Sequence, residues 1–171
     1  MSVASSLARW RVPLGFVTAA LTLVFARPTL DTLGRGFVVA LVGEAIRVWA
    51  AGHLEKSREV TRSGPYRYMR HPLYVGSSVI AAGVIVAANS PVVGIVGPLY
   101  MFSTVVAAIQ TEEAFLRKAF GTTYDQYVAS EAAPMPRRFS LERAMRNREY
   151  RAAAGLLGGF ALLALRRYVN L

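Results

Sequence analysis

The densest chemistry in this chain lies in two stretches, GPYRYMRHPLYVG at residues 64–76 and EEAFLRKAFGTTYDQY at residues 112–127. The first sets Arg67, Arg70 and His71 among Tyr66, Tyr68 and Tyr74, and places Pro72 where an apolar run begins. Proline suits the first turn of a helix, where backbone N–H groups stay free and the positive end of the dipole faces the loop. Arginine and histidine beside such an end suit a carboxylate or phosphate, as charge-assisted donors. The second stretch opens on Glu112 and Glu113. Neighbours on a helix point about 100° apart, so one is expected to face a pocket and the other water. Carboxylates amid so many bases suit a cationic or hydroxyl-rich ligand. Each stretch also has a plain structural reading. The first is a basic membrane anchor with interfacial tyrosines, and the second a surface helix pairing Glu113 with Arg117. His71 alone would serve equally as a cap or a packing residue.

A third ionisable pair, Glu44 and Arg47, stands inside an apolar segment, three residues apart and so on one helix face. Charge in such a segment is costly and lines a cavity or ties helices together. Two readings stand side by side: a structural ion pair to a neighbouring helix, or the cytoplasmic end of a binding pocket.

The elements that must position these residues are apolar. Five stretches stand out: Val12–Ala26, Gly36–Gly52, Leu73–Ala88, Pro91–Ile109 and Ala152–Leu165. A membrane span takes about 20 residues; the middle three come near that, while the first and last need snorkelling or local thinning. The last is expected either to cross or to lie in the interface. The first lacks a small-residue cleavage site before Arg27 and is expected to be a helix rather than a signal peptide. Asn89 and Ser90 alone separate the third stretch from Pro91, which predicts a tight helical hairpin. Glu112, Leu116 and Phe120 recur every four residues, so the fourth helix is expected to run past the membrane and stop at Gly121.

Composition agrees with an all-α, polytopic membrane protein of about five helices in a single domain over residues 1–171. The chain is 54% hydrophobic and only 18% charged, with a net charge of +10 and no cysteine. With alternating spans, fifteen of the twenty Lys and Arg fall on one side and Arg27, Arg35, Arg166 and Arg167 on the other, with Arg47 inside a stretch. The positive-inside rule then puts the amino terminus and both motif loops in the cytoplasm. That asymmetry accounts for the basic excess without nucleic acid, for which no binding motif is present. A metal is not expected either, since no ligand set at metal spacing is present.

Together the two stretches resemble the isoprenylcysteine carboxyl methyltransferases and their phospholipid methyltransferase relatives. The family patterns are G-P-Y-R-x-x-R-H-P-x-Y-x-G and E-E-x-x-L-x-x-x-F-G-x-x-Y-x-x-Y, and each fixed letter is present from Gly64 to Gly76 and from Glu112 to Tyr127. GEAIRVWAAGHL upstream resembles the helix that precedes the first loop, so the motif-bearing part runs from about residue 43 to 140. The resemblance implies an integral-membrane methyltransferase with S-adenosylmethionine held on the cytoplasmic side between the loops. On its chemistry, Arg70, His71 and the helix start at Pro72 suit the cofactor's carboxylate, and Glu112 and Glu113 its amino group or ribose hydroxyls. Gly64, Tyr66, Tyr74 and Gly76 would shape the pocket. The acceptor is expected to be lipid-like or prenylated, reached through the membrane lipids, with Arg47 and Arg138 holding its anionic end. A carboxylate acceptor is already ionised, so positioning would dominate catalysis; an amine or hydroxyl would call on His71 or Glu113 as base.

The likeness thins after Tyr127. Where the family continues V-P-R-F-x-P, this chain reads VASEAAPMPRRFSLE, matching only at Pro136, Arg138 and Phe139 after a shift. The identity of the acceptor is tied to that segment. Two other readings follow from the same residues. One is an NADPH-dependent reductase of the sterol-reductase kind, against which stands Arg-His-Pro-Leu-Tyr in place of R-H-x-N-Y. The other is a non-catalytic membrane scaffold, against which stands the retention of Arg70-His71 with Glu112-Glu113.

Overall fold

The structure, a computed structural model, describes residues 3–169 and the side chains of 13–168. The side chains of Arg9 and Arg11, counted above toward the cytoplasmic side, lie outside the described residues. Among the described residues the chain is all-helical. Seven α-helices run α1 (Val3–Phe25), α2 (Leu30–Ala51), α3 (Pro72–Ala88), α4 (Pro91–Phe120), α5 (Thr122–Val128), α6 (Leu141–Arg146) and α7 (Tyr150–Val169), with one 3-10 turn at Gly64–Arg67. The five apolar stretches fall within α1, α2, α3, α4 and α7, overrunning the ends of α1 and α2 by one residue each, while α5 and α6 are short helices of the second loop.

Local chemistry sets the boundaries. Thr29 caps α2 and exchanges hydrogen bonds with Thr32, closing a capping box on threonines alone. Pro72 and Pro91 open α3 and α4. Between them Asn89 takes the left-handed conformation, φ 47° and ψ 50°, and makes the tight hairpin. Gly121, at φ 49°, ends α4 and turns the chain directly into α5.

The closest pairing is α2 against α3. Gly36, Ala40 and Gly43 on α2 meet Gly76, Ile80, Gly83 and Ala87 on α3. The spacing of small residues lets the two backbones touch, as in close membrane-helix crossings. A Cβ on Gly43 would stand 2.6 Å from the Gly76 carbonyl oxygen, and one on Gly83 would stand 2.5 Å from that of Gly36. Gly43→Ala is therefore expected to lower the apparent melting temperature in detergent, at a cost of about 1–3 kcal/mol from overpacking. Gly34→Ala, with nothing within 4 Å of the added carbon, should be neutral or gain up to about 1 kcal/mol from helix propensity.

α7 completes the bundle. Phe160 packs edge-on to Phe37 with ring centroids 5.2 Å apart, and Leu156 and Leu163 join Ala40, Ala87 and Val93 in the core. The outer faces are apolar as well: Ile95, Leu99, Phe102 and Val106 follow one exposed stripe of α4, at the helical spacing of four, three and four. Among the described residues one helix, Pro91–Phe120, is long and apolar enough to cross a membrane.

The segment after α5 straps back over the first loop. The Arg137 guanidinium grips both carboxylate oxygens of Glu59, at 2.5 and 2.8 Å. Arg143 and Arg146 share Glu55 at 2.8 and 3.0 Å, and the Asn147 amide donates to the Ala51 and Leu54 carbonyls. Two loops distant in sequence are thereby fixed against one another.

Candidate active site

A cavity of about 650 Å³ lies between the first loop, the start of α3, the end of α4 and α5. Arg47, Tyr66, Arg70, His71, Pro72, Tyr74 and Glu112 line it, so seven of the residues singled out from sequence come together. Its size is that of a site for a small organic ligand.

His71 is the junction. As the residue before α3 it sits where Pro72 fixes the chain, and its ring is mostly buried. Nε2 meets Glu113 Oε1 at 3.1 Å and Nδ1 lies 3.8 Å from Glu112 Oε2. Arg70 Nη1 donates to the same Glu113 oxygen at 3.3 Å. The expected division of the two glutamates, one to a pocket and one to water, is thus not what forms. Both turn toward His71; Glu112 lines the cavity, and Glu113 stands behind as the carboxylate that holds His71 and Arg70. The expected Glu113–Arg117 pair also forms, at 4.0 Å, as the longest of its contacts.

This arrangement moves the protons. Burial works against charge on His71, but the hydrogen bonds and charges of Glu112 and Glu113 outweigh it and raise its pKa above 6.5. The His71 hydrogen bond lowers Glu113 below 4.5, with Arg70 helping against burial. Glu112 is also lowered: burial opposes this, and hydrogen bonds from His71 and Tyr74 prevail. A raised histidine contributes stability in full below the unfolded value and loses it as pH rises through the folded one. A depressed carboxylate contributes above its unfolded value and loses it as pH falls through the folded one. The cluster is therefore expected to stabilise the fold most between about pH 4.5 and 6.5. Melting scans against pH of the wild-type chain and His71→Asn should diverge most in that window and converge in alkali.

The tyrosines form the wall. Burial pushes Tyr66 and Tyr124 above the usual phenol value and Tyr127 up to about 12, so all three keep their protons near neutrality. Tyr127 donates to the Tyr66 carbonyl at 2.8 Å, pinning α5 on the 3-10 turn. Tyr124 is fully buried, and among the described residues its hydroxyl has no hydrogen-bond partner. It lines the cavity, and a buried hydroxyl of this kind is satisfied by a polar ligand atom or by water. Tyr124 and Tyr127 are not among the residues selected from sequence, although both are fixed letters of the second motif and could have been found by it. Thr104 and Thr111, also on the wall, carried none.

Four selected residues do not line the cavity. Gly64, at φ 55°, packs where a Cβ would strike the His53 ring at 2.5 Å; it shapes the loop that carries Tyr66. Gly76 lies in the α2–α3 crossing against Gly43 and the Arg47 stem. Glu113 bonds His71 and Arg70 from behind the wall. Arg138 is exposed, with its carbonyl accepting from Arg143; Arg137 next to it makes the inward contact instead.

Arg47 is held on three sides. Its Nε donates to Glu149 Oε1 at 2.6 Å, and its Nη1 to the Ser77 hydroxyl and, at 3.5 Å, the Leu73 carbonyl. Among the described residues Nη2 makes no hydrogen bond. The ion pair to a neighbouring helix thus exists, but its acid is Glu149 from the turn before α7. Glu44 remains buried beside it, with neither carboxylate oxygen bonded among the described residues. Arg47 is both a structural tie and a cavity residue, so the two readings of this pair are not exclusive. No motif marks Glu149.

The phospholipid methyltransferase family matches residues 10–123, from α1 through the first turn of α5. The chain belongs to that family. Among curated relatives, this methyltransferase-family chain is 32% identical over 113 residues to a probable protein-S-isoprenylcysteine O-methyltransferase of Oryza sativa subsp. japonica, covering 59% of each. It is 32% identical to protein-S-isoprenylcysteine O-methyltransferase A of Arabidopsis thaliana, covering 59% of this chain and 57% of that one. It is 35% identical over 138 residues to the cobalt-zinc-cadmium resistance protein CzcN of Cupriavidus metallidurans, covering 75% of this chain and 62% of that one. The chain therefore spans about three-fifths of the length of these relatives. No solved structure matches it. Among the described residues no group of three or more His, Asp or Glu is placed to hold a metal ion.

Proposed function

We propose that this chain is an integral-membrane methyltransferase that takes its methyl group from S-adenosylmethionine and passes it to the carboxylate of a lipid-like, prenylated acceptor. The observation that carries this reading is Arg70, His71 and Glu112 on the wall of one cavity, with Glu113 behind them joining Arg70 to His71. It offers matched cationic and anionic groups to a zwitterionic ligand, as the cofactor's methionine end requires. The unpartnered Tyr124 hydroxyl and the size of the cavity fit a ligand of that kind.

Bound there, the cofactor supplies a methyl group on a cationic sulfonium. His71⁺ and Arg70 are suited to its carboxylate, Glu112 to its amino group or ribose hydroxyls, and the tyrosines to the exclusion of water. The acceptor needs no base if it is a carboxylate, so the chain's task is alignment and charge matching in a dry site. Arg47 has one donor, Nη2, left for an anionic acceptor. Exposed Arg138 would meet that acceptor only at the outer surface. The acceptor class comes from the names of the plant relatives and from the exposed apolar stripe of α4, which suits entry from the bilayer. The same stripe and the Lys/Arg asymmetry support a multi-pass chain with this cavity in the cytoplasm.

Calorimetry on the detergent-purified full chain tests the cofactor. Micromolar binding of S-adenosylmethionine and none of NADPH is the expected result. A folded sample that binds NADPH alone would transfer the chain to the reductases, and one that binds neither would leave a scaffold.

A further inference from the structure

A second cavity, of about 730 Å³, lies at the other end of the bundle. Arg27, Arg166 and Arg167 line it, together with Ser90, Pro91 and Val92 at the start of α4. Val92 and Glu112, on the walls of the two cavities, are twenty residues apart on one helix, or about 30 Å at 1.5 Å per residue. That is the thickness of the hydrocarbon core of a bilayer.

Three of the four basic residues that the alternating arrangement puts on this side converge here. The fourth, Arg35, is already paired with Asp31 at 2.8 Å. Among the described residues Arg27 and Arg167 have no acidic partner and no carboxylate lines the cavity. The fold holds this geometry. The Arg27 N–H donates to the Ala88 carbonyl at 2.8 Å, and the Arg27 carbonyl accepts from the Asn89 amide at 3.2 Å. Its backbone is thereby clamped to the α3–α4 hairpin. The Arg166 guanidinium donates to the Leu23 and Val24 carbonyls, which fixes the end of α7 on the end of α1. The start of α4 meets the same region with the positive end of its dipole. Snorkelling alone would spread such arginines around the rim, each toward its own water. Here they gather on one concavity built from the ends of three helices and the linker before α2.

We propose that this cavity binds the phosphodiester of an anionic phospholipid in the leaflet opposite the candidate active site. The chemistry called for is a phosphate oxyanion, which arginine meets in fork geometry. A lipid rather than a soluble phosphate is favoured by the rim: Val24, Phe25 and Val92 are exposed apolar side chains of the cavity wall, placed to take the first carbons of acyl chains. The proposal rests on the membrane reading above but not on the identity of the methyl donor.

Native mass spectrometry of the full chain released from nanodiscs tests it, using phosphatidylglycerol, phosphatidylcholine, and lipid-free detergent with glycerol 3-phosphate. One retained phosphatidylglycerol is expected, with phosphatidylcholine retained far less and glycerol 3-phosphate unable to displace the lipid. Arg27→Gln with Arg167→Gln should weaken retention roughly thirty-fold, since each juxtamembrane arginine contributes about fivefold toward an anionic lipid. Arg35→Gln removes a charge from the same side but outside the cavity and should leave retention unchanged. Equal retention of both lipids would overturn the proposal, as would equal loss in Arg35→Gln. Displacement by glycerol 3-phosphate would overturn the lipid as occupant. S-adenosylmethionine binding, about 30 Å away, is measured on each variant. If it persists where lipid retention is lost, the variant is folded; if it is absent from the wild-type chain that still retains lipid, the methyltransferase reading fails and this one stands.

Discussion

His71→Ala in the purified chain is expected to weaken S-adenosylmethionine binding by roughly ten- to a hundred-fold. Hydrogen bonds to charged groups are worth about 1.5–3 kcal/mol, and this change removes more than one contact. Without the imidazole, the cavity loses a cation, and Glu112 and Glu113 lose the donor that depresses both. Two carboxylates then stand side by side with only Arg70 and the more distant Arg117 to compensate. Glu113→Gln separates the contributions. The amide can still meet His71 Nε2 and Arg70, but the charge that raises the imidazole is gone. The His71 midpoint should fall toward the ordinary value, readable from the pH dependence of its ring protons by NMR. Binding should then decline at a lower pH than in the wild-type chain. A variant that loses binding with an unchanged His71 midpoint would mean that Glu113 supports the fold rather than the charge on His71.

Much of this arrangement is legible in the residues themselves, for reasons that can be named. Proline before an apolar run announces where α3 and α4 begin, and the four-residue recurrence from Glu112 to Phe120 carries α4 beyond its apolar part to Gly121. The aromatic and charged letters of the two motifs meet because the first motif leads into the start of α3 and the second runs over the final turns of α4 into α5, and α3 and α4 are joined by a two-residue hairpin. Distance from such punctuation marks what could not be read. Glu149 lies 102 residues from Arg47, on a turn whose local sequence has no periodicity tying it to α2. Choosing Arg138 over Arg137 depended on a shifted, three-letter match, whereas the inward residue is decided by which guanidinium reaches Glu59. The direction of Glu113 was a matter of helix phase relative to a neighbour. A 100° step says that two adjacent residues diverge, but not that a histidine stands between them.

Removal of Glu149 should be among the most destabilising single changes in the chain. Its carboxylate is the acid bonded to Arg47, and the two side chains are 7% and 20% exposed. Breaking a buried pair from one side leaves an uncompensated charge and costs about 3–5 kcal/mol. Ser77 and Leu73 remain bonded to Nη1 and argue for the lower end of that range. The converse change is milder. Arg47→Met with Glu149→Leu removes both charges together, and replacement of a buried pair by apolar groups of similar volume is often neutral. Melting temperatures of the two single variants and the double variant form a cycle whose coupling should be large and favourable. Glu44 supplies the discriminating arm. It lies one turn from Arg47, buried and with both oxygens unbonded, so it can serve as a substitute counter-ion once Glu149 is gone. Glu44→Gln should therefore cost little in the wild-type chain and much in Glu149→Ala. Additive losses would mean that Glu44 is no reserve partner and that Arg47 tolerates its own burial. The double variant also separates structure from function. If it folds, binds S-adenosylmethionine and fails only to turn over a carboxylate acceptor, then Nη2 of Arg47 holds that acceptor while Glu149 keeps the guanidinium turned to present it.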